Sequence, residues 1–190
     1  MACIEPKTAR LKNGKQVCIR TPVAEDTEKV LDYLKEVFAD DRFFLTTTEE
    51  ASQWQTVEKE REKIQTCYDD ADKLFVVTEA DGRIVSMSNI ECGEKKRTRH
   101  VGDIGISILA DWRSIGLGTA ILQAMIDWAT THPVLEKLTL SVHSTNAPAI
   151  GLYQKLGFIE EGRRIKQFKF DDGHYEDGVL MARFVKEKER

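Results

Sequence analysis

The chain has 190 residues, 28 Lys+Arg against 32 Asp+Glu, a formal net charge of -4 and 41% hydrophobic residues. No run approaches the roughly 18 apolar residues of a membrane span, and the slightly acidic balance gives no general basis for a nucleic-acid partner. The first residues, Met1 to Lys7, lack a basic start followed by an apolar run, so no signal peptide is expected. Cys3, Cys18, Cys67 and Cys92 form no Cys-x-x-Cys pair, which suits free thiols in a cytoplasmic setting. His100, His132, His143 and His174 share no ligand spacing with one another or with the cysteines, so no metal is expected.

Along the chain, Gln16 to Arg20 alternates polar and apolar residues as a half-buried strand does, and Thr21-Pro22 closes it. Val30, Leu31, Leu34, Val37 and Phe38 then share one helical face. Thr47-Thr48-Glu49-Glu50 offers caps for a second helix carrying Trp54, Val57, Arg61, Ile64 and Tyr68 on one stripe. Two strands, 74–78 and 84–90, flank Asp81-Gly82, a strong hairpin signal. The basic run Lys95 to His100 reads as a solvated turn between strands. A strand from His100 to Leu109 is interrupted by Gly102 and Gly105, which mark a bulge or a close approach.

The clearest helix follows, with Leu117, Ala120, Ile121, Ala124, Met125, Trp128 and Ala129 at helical spacing and His132-Pro133 at its end. A strand over 138–143 leads to a short helix from about Ala147 to Leu156, stopped by Gly157 in a left-handed cap position. Segments 165–170 and 179–184 form a last antiparallel pair around Asp171-Asp172-Gly173. With no repeat, linker or low-complexity tract, residues 1–190 read as a single mixed α/β domain with a core of about 16–185.

The chemically informative stretch runs from Leu109 into the helix near Gly116. A helix start leaves outward-facing N–H groups and a partial positive charge, to which a phosphate can bind if nothing bulky intervenes. Gly116 and Gly118 remove the obstructing side chains, Arg113 adds a fixed charge and Thr119 a hydroxyl. Taken alone, the same glycines could serve only to start the helix.

Arg113-Ser114-Ile115-Gly116-Leu117-Gly118 resembles the Arg/Gln-x-x-Gly-x-Gly/Ala signature of the GNAT acyltransferase superfamily, placed between a long strand and an amphipathic helix as in that family. A second block is similar too, through Asn146, Ala149, Tyr153 and Gly157-Phe158. The element order from about Gln16 to Val185 also resembles the family, so the likeness covers nearly the whole chain. It implies a central, mostly antiparallel twisted sheet with a splayed parallel strand pair, flanked by helices. Acetyl-CoA is then the co-substrate, with its pantetheine on unpaired backbone groups of Ile108 and Leu109. The N–H groups of Ile115, Gly116, Leu117, Gly118 and Thr119 would hold the pyrophosphate. Asn146 would bind the pantetheine or phosphate region, and Ala149 would pack against it.

The resemblance assigns Tyr153 the role of general acid to the departing thiolate, beside a plainer reading as a half-buried aromatic. A backbone N–H around Leu109 would meet the oxyanion. Asp103 is the candidate base, sharing a strand face with Gly105 and Ser107; a solvated or salt-bridged aspartate is the alternative, and Glu91 the reserve. His143 could relay a proton or be structural. The family's substrate-selecting regions would correspond to Asp40-Asp41-Arg42-Phe43-Phe44 and Tyr175-Glu176-Asp177, suited to a cationic amine of a small molecule or a peptide. The lack of Gly-x-Gly-x-x-Gly argues against a dinucleotide fold. An acyl-CoA-binding regulatory module without turnover stays as the alternative function, and an exposed edge strand leaves room for a homodimer.

Overall fold

The computed structural model describes residues 2–39, 56–170 and 172–186. In chain order the elements are β1 (Lys7–Arg10), β2 (Gln16–Arg20), α1 (Thr27–Ala39), α2 (Val57–Asp69), β3 (Lys73–Ala80), β4 (Arg83–Cys92) and β5 (Val101–Ile108). They continue with α3 (Leu117–Thr131), β6 (Lys137–His143), α4 (Ala147–Lys155), β7 (Ile159–Lys169) and β8 (Tyr175–Phe184). The residues gather into two compact units, Met1–Glu91 with Gly105–Ala124, and Cys92–Ile104 with Met125–Arg190.

In the first unit the strand order is β1-β2-β3-β4 followed by β5, and the pairs β1–β2, β2–β3 and β3–β4 are antiparallel. The β3–β4 turn has both central residues left-handed, Asp81 at φ 50° and Gly82 at φ 77°, as a two-residue hairpin requires. Val76, Val77, Ile84 and Val85 are buried at its centre. From α1 come buried Val30, Leu34, Val37 and Phe38, from α2 Ile64, and from α3 Leu117, Ile121 and Leu122. Thr56 caps α2 by accepting a hydrogen bond from Lys59 N–H at 3.3 Å. The predicted caps from Thr47, with Trp54 on the same stripe, lie outside the described residues.

A charged cluster ties three segments of this unit together. Arg20 grips Asp26 with both terminal nitrogens, Nη1 to Oδ2 at 2.6 Å and Nη2 to Oδ1 at 2.8 Å. It also reaches Glu79 Oε2 at 2.6 Å, while Lys29 Nζ meets Glu79 Oε1 at 2.9 Å. Asp26 additionally accepts the Val23 N–H at 2.8 Å. Burial opposes ionisation of Asp26, but the hydrogen bonds from Arg20 and Val23 outweigh it and hold its carboxyl below the usual range. Hydrogen bonds from Arg20 and Lys29 lower Glu79 likewise.

In the second unit β5 pairs with β6 in parallel, β6 with β8 and β8 with β7 antiparallel. The parallel ladder is short, from Val101↔Lys137 to Asp103↔Thr139, although β5 runs on to Ile108 and β6 to His143. Leu138, Leu140, Val142, Val179, Met181 and Phe158 are buried here, with Met125 and Ala129 from α3. His132, at the α3 terminus, accepts the Leu135 N–H through Nδ1 at 3.2 Å, which gives this histidine a structural role. Gly157 ends α4 at φ 80°, the left-handed position its sequence suggests. The basic run between β4 and β5 is almost wholly exposed. The fold is therefore mixed α/β, with a mostly antiparallel sheet and one parallel pair. No helix among the described residues is long and apolar enough to cross a membrane.

Candidate functional site

The end of β5 and the start of α3 form an ordered loop in the first unit. Leu109 N–H donates to the Val85 carbonyl at 3.1 Å, and the Leu109 carbonyl accepts Trp112 N–H at 2.9 Å. This corrects the expectation of unpaired backbone groups at Leu109: its amide belongs to the sheet and is not held ready for an oxyanion. The neighbouring Ile108 carbonyl accepts Arg113 Nε at 2.9 Å, so this arginine is tethered to the strand end while its side chain stays exposed.

Beyond Arg113 the chain turns left-handed twice, at Ser114 (φ 63°) and Gly116 (φ 95°). Left-handed residues within a turn let N–H groups converge on an anion. The first bond back into α3 is donated by Ala120 to the Gly116 carbonyl at 3.2 Å. Leu117, Gly118 and Thr119 thus have no intrahelical acceptor for their amides, as at any helix start. The Leu117 side chain is fully buried, so only its backbone could face a ligand. The residues present therefore suit a phosphate group: amides without intrahelical acceptors, a bare glycine and a tethered guanidinium.

Gly116→Ala is expected to cost about 1–2 kcal/mol, because a side chain is strained at that φ whatever space surrounds it. Gly151, inside α4 with nothing within 4 Å of an added Cβ, is the control. Alanine there should gain about 0.5–1 kcal/mol. Urea unfolding of both variants checks the contrast, and equal effects at the two glycines would refute the strained-loop account.

Three partners of β5, namely Tyr33, Met87 and Asn89, were not foreseen. Tyr33 on α1, 2% exposed, donates its hydroxyl to Ser107 Oγ at 2.7 Å, and Ser107 donates to the Met87 carbonyl at 3.3 Å. Burial pushes the Tyr33 phenol far above its ordinary value. A Cβ on Gly105 would lie 2.4 Å from Asn89 Oδ1. Gly105 and Ser107 therefore accommodate Asn89 and Tyr33 instead of opening space beside Asp103. A small open pocket of about 130 Å³ lies against Glu36, Val37, Leu109, Ala110, Asp111 and Arg113.

The second unit carries the other sequence candidates. Asn146 caps α4, its Oδ1 accepting Ala149 N–H at 3.3 Å, and so positions the helix that holds Tyr153. Tyr153 is 7% exposed, its ring tilted against Phe158 at 5.9 Å, and burial pushes its phenol up to about 12. Asp103 is exposed and accepts a hydrogen bond from Thr139 Oγ1 at 3.1 Å. His143, stacked on Phe168 at 3.8 Å, places Nδ1 2.9 Å from Glu176 Oε2, and Thr145 donates to the same oxygen at 2.9 Å. Partial burial disfavours the charged form of Glu176, yet those two bonds hold its carboxyl below the usual range. Asp177 Oδ1 accepts Lys166 N–H at 2.7 Å. Both acidic groups of the Tyr175-Glu176-Asp177 trio are thus engaged internally, and only Tyr175 of the three is exposed. The segment 40–44 lies outside the described residues.

Comparison with known proteins accords with this geometry. The chain is 34% identical over 103 residues to an L-amino acid N-acetyltransferase of Escherichia coli, covering 54% of this chain and 63% of that protein. It thus spans less than two thirds of that relative's length. It is 36% identical over 118 residues to an N-alpha-acetyltransferase of Sulfurisphaera tokodaii, covering 57% and 67%. The crystal structure of a GNAT-family acetyltransferase from Streptococcus pneumoniae superposes with a TM-score of 0.83 at 27% identity, over 88% of this chain and 99% of that one. The family model described as acetyltransferase (GNAT) matches residues 28–158, which spans the loop at Gly116 and the α4 block alike, and the chain belongs to that family.

Proposed function

We propose that the protein transfers an acetyl group from acetyl-CoA to a primary amine. The observation that carries this reading is the loop from Arg113 to Thr119, where two left-handed turns precede a helix start and a tethered arginine stands beside them. The amine nitrogen attacks the thioester carbonyl carbon, a C–N bond forms, and the C–S bond then breaks. One proton must leave the amine and one must reach the thiolate.

Within this reading Arg113 and the amides of Ile115, Gly116, Leu117, Gly118 and Thr119 hold the pyrophosphate, with Ser114 shaping the turn. Ile108 and Leu109 line the pantetheine, Leu109 through its side chain or a second lone pair on its carbonyl. Asn146 and Ala149, at the start of α4, contact the same arm. Tyr153 is the general acid to the thiolate; its buried phenol is neutral near pH 7 and so carries the proton to give. Asp103 takes the amine proton through water, as an exposed carboxylate can, with Glu91 as the substitute. The engaged amide of Leu109 favours a second reading, a binding module that keeps the loop without turnover.

The test follows free CoA in a coupled assay with acetyl-CoA and three acceptor classes: amino acids, polyamines and peptides with free N-termini. Amine-dependent release supports transfer and selects the class. Binding of acetyl-CoA with no release from any class would reject turnover and leave the binding module.

A further inference from the structure

The turn between β1 and β2 docks on the phosphate loop. Leu11 is buried, its N–H donates to the Lys15 carbonyl at 2.8 Å, and Gly14, at φ 85°, donates back to Leu11 at 2.9 Å. This compact turn is tied to the loop by one backbone bond, from Lys12 N–H to the Ile115 carbonyl at 3.0 Å. The Lys12 stem then passes over the bare face of Gly116, with Cγ 3.7 Å and Cε 3.9 Å from the position a Cβ would take there. The second lysine of the turn is otherwise occupied, its ammonium 4.3 Å above the Trp112 ring. Lys12 is exposed, and no carboxylate among the described residues pairs with it.

We propose that Lys12 is a phosphate-binding residue of the cofactor loop, its ammonium meeting the pyrophosphate at Gly116. The inference rests on the acetyl-CoA reading above. A backbone bond holds the root of the side chain, so the flexible stem loses less freedom on binding than that of an unanchored surface lysine. The ammonium acts as a point charge and complements the planar fork of Arg113.

The test is calorimetric titration of the full chain, as wild type, Lys12→Ala and Lys12→Arg, with CoA and with 3′-dephospho-CoA, which keeps the pyrophosphate but lacks the ribose phosphate. Lys12→Ala should raise Kd about tenfold for both ligands, as loss of one charge-assisted contact does. Lys12→Arg should recover most of the affinity, and the salt dependence of binding should flatten in Lys12→Ala. Because the side chain is exposed, the melting temperature without ligand should not move. A Kd within twofold of wild type for both ligands overturns the proposal. So does a loss confined to CoA, which would assign Lys12 to the 3′-phosphate. If wild type itself binds neither ligand, the acetyl-CoA reading falls and takes this one with it; normal wild-type binding with an indifferent Lys12→Ala removes this one alone.

Discussion

Replacing Tyr153 by phenylalanine is expected to lower amine-dependent acetyl transfer about a hundredfold, the lower range for loss of a positioned acid. The modest end of that range follows from the phenol itself. Burial alone pushes it up to about 12, whereas a thiol ionises near 8.5. Outright proton transfer from such a phenol to a free thiolate is uphill by roughly 3 to 4 pH units. In the proposed role Tyr153 would contribute most while the C–S bond is breaking, by a hydrogen bond to the developing charge, with the proton moving as that charge peaks. A second consequence is visible in the pH profile. The rate should rise as the acceptor amine loses its proton, and no falling limb assignable to Tyr153 should appear below about pH 10. A Tyr153→Phe rate within threefold of wild type would reduce this residue to packing against Phe158.

The largest stability effect is expected at Asp26. Its side chain is 5% exposed and clamps Arg20, itself 17% exposed, so Asp26→Ala removes one partner of a largely buried pair. Such losses run to about 3–5 kcal/mol because the remaining charge stays desolvated. Glu79 continues to hold Arg20, which places the expectation near 3 kcal/mol, or a fall in Tm of about 6–12 °C for a chain this size. The sign of the pH dependence is fixed by the direction of the shifts. Asp26 and Glu79 are both lowered on folding, so their contribution is complete above the ordinary carboxylate range near pH 4. It is lost as pH falls through their folded values. Wild-type stability should therefore decline below about pH 4, and more gently in Asp26→Ala. A variant whose Tm stays within about 2 °C of wild type would mean that Arg20 is solvated after all.

Most of the architecture was legible because it is written in local periodicity. The Asp81-Gly82 hairpin, the amphipathic run of α3 and the Gly157 stop each depend on a few adjacent residues. β1 escaped notice for the opposite reason: Lys-Thr-Ala-Arg carries no apolar alternation, and it is a strand only because β2 lends it a ladder. β7 begins at Ile159, six residues before its predicted start, since its exposed and charged side chains hide its pairing with β8. In the candidate site, the loop from Arg113 to Gly118 announced itself by glycine spacing. The contacts around it did not. Tyr33 and Ser107 are 74 residues apart, Arg20 and Glu79 are 59 apart, and a pattern within one segment cannot name a partner at that distance. The engaged amide of Leu109 shows the same limit, because the sequence cannot reveal which strand groups a neighbour has already taken.

The irregular edge of β7 has a bearing on how the protein behaves when concentrated. Its ladder with β8 slips twice, between Glu160 and Gly162 and between Arg164 and Phe168, and Lys166 sits at φ 52° in the second slip. Arg163, Arg164, Lys166 and Lys169 stand exposed along it, together with Glu160 and Glu161. An incoming strand from another molecule would need to match both slips and bring its own backbone past a dense row of charge. Exposed Ile159 and Ile165 would otherwise make this rim adhesive. The interruptions break it into short pieces that offer no continuous template for fibril growth, so crowding at this rim should leave the protein dispersed.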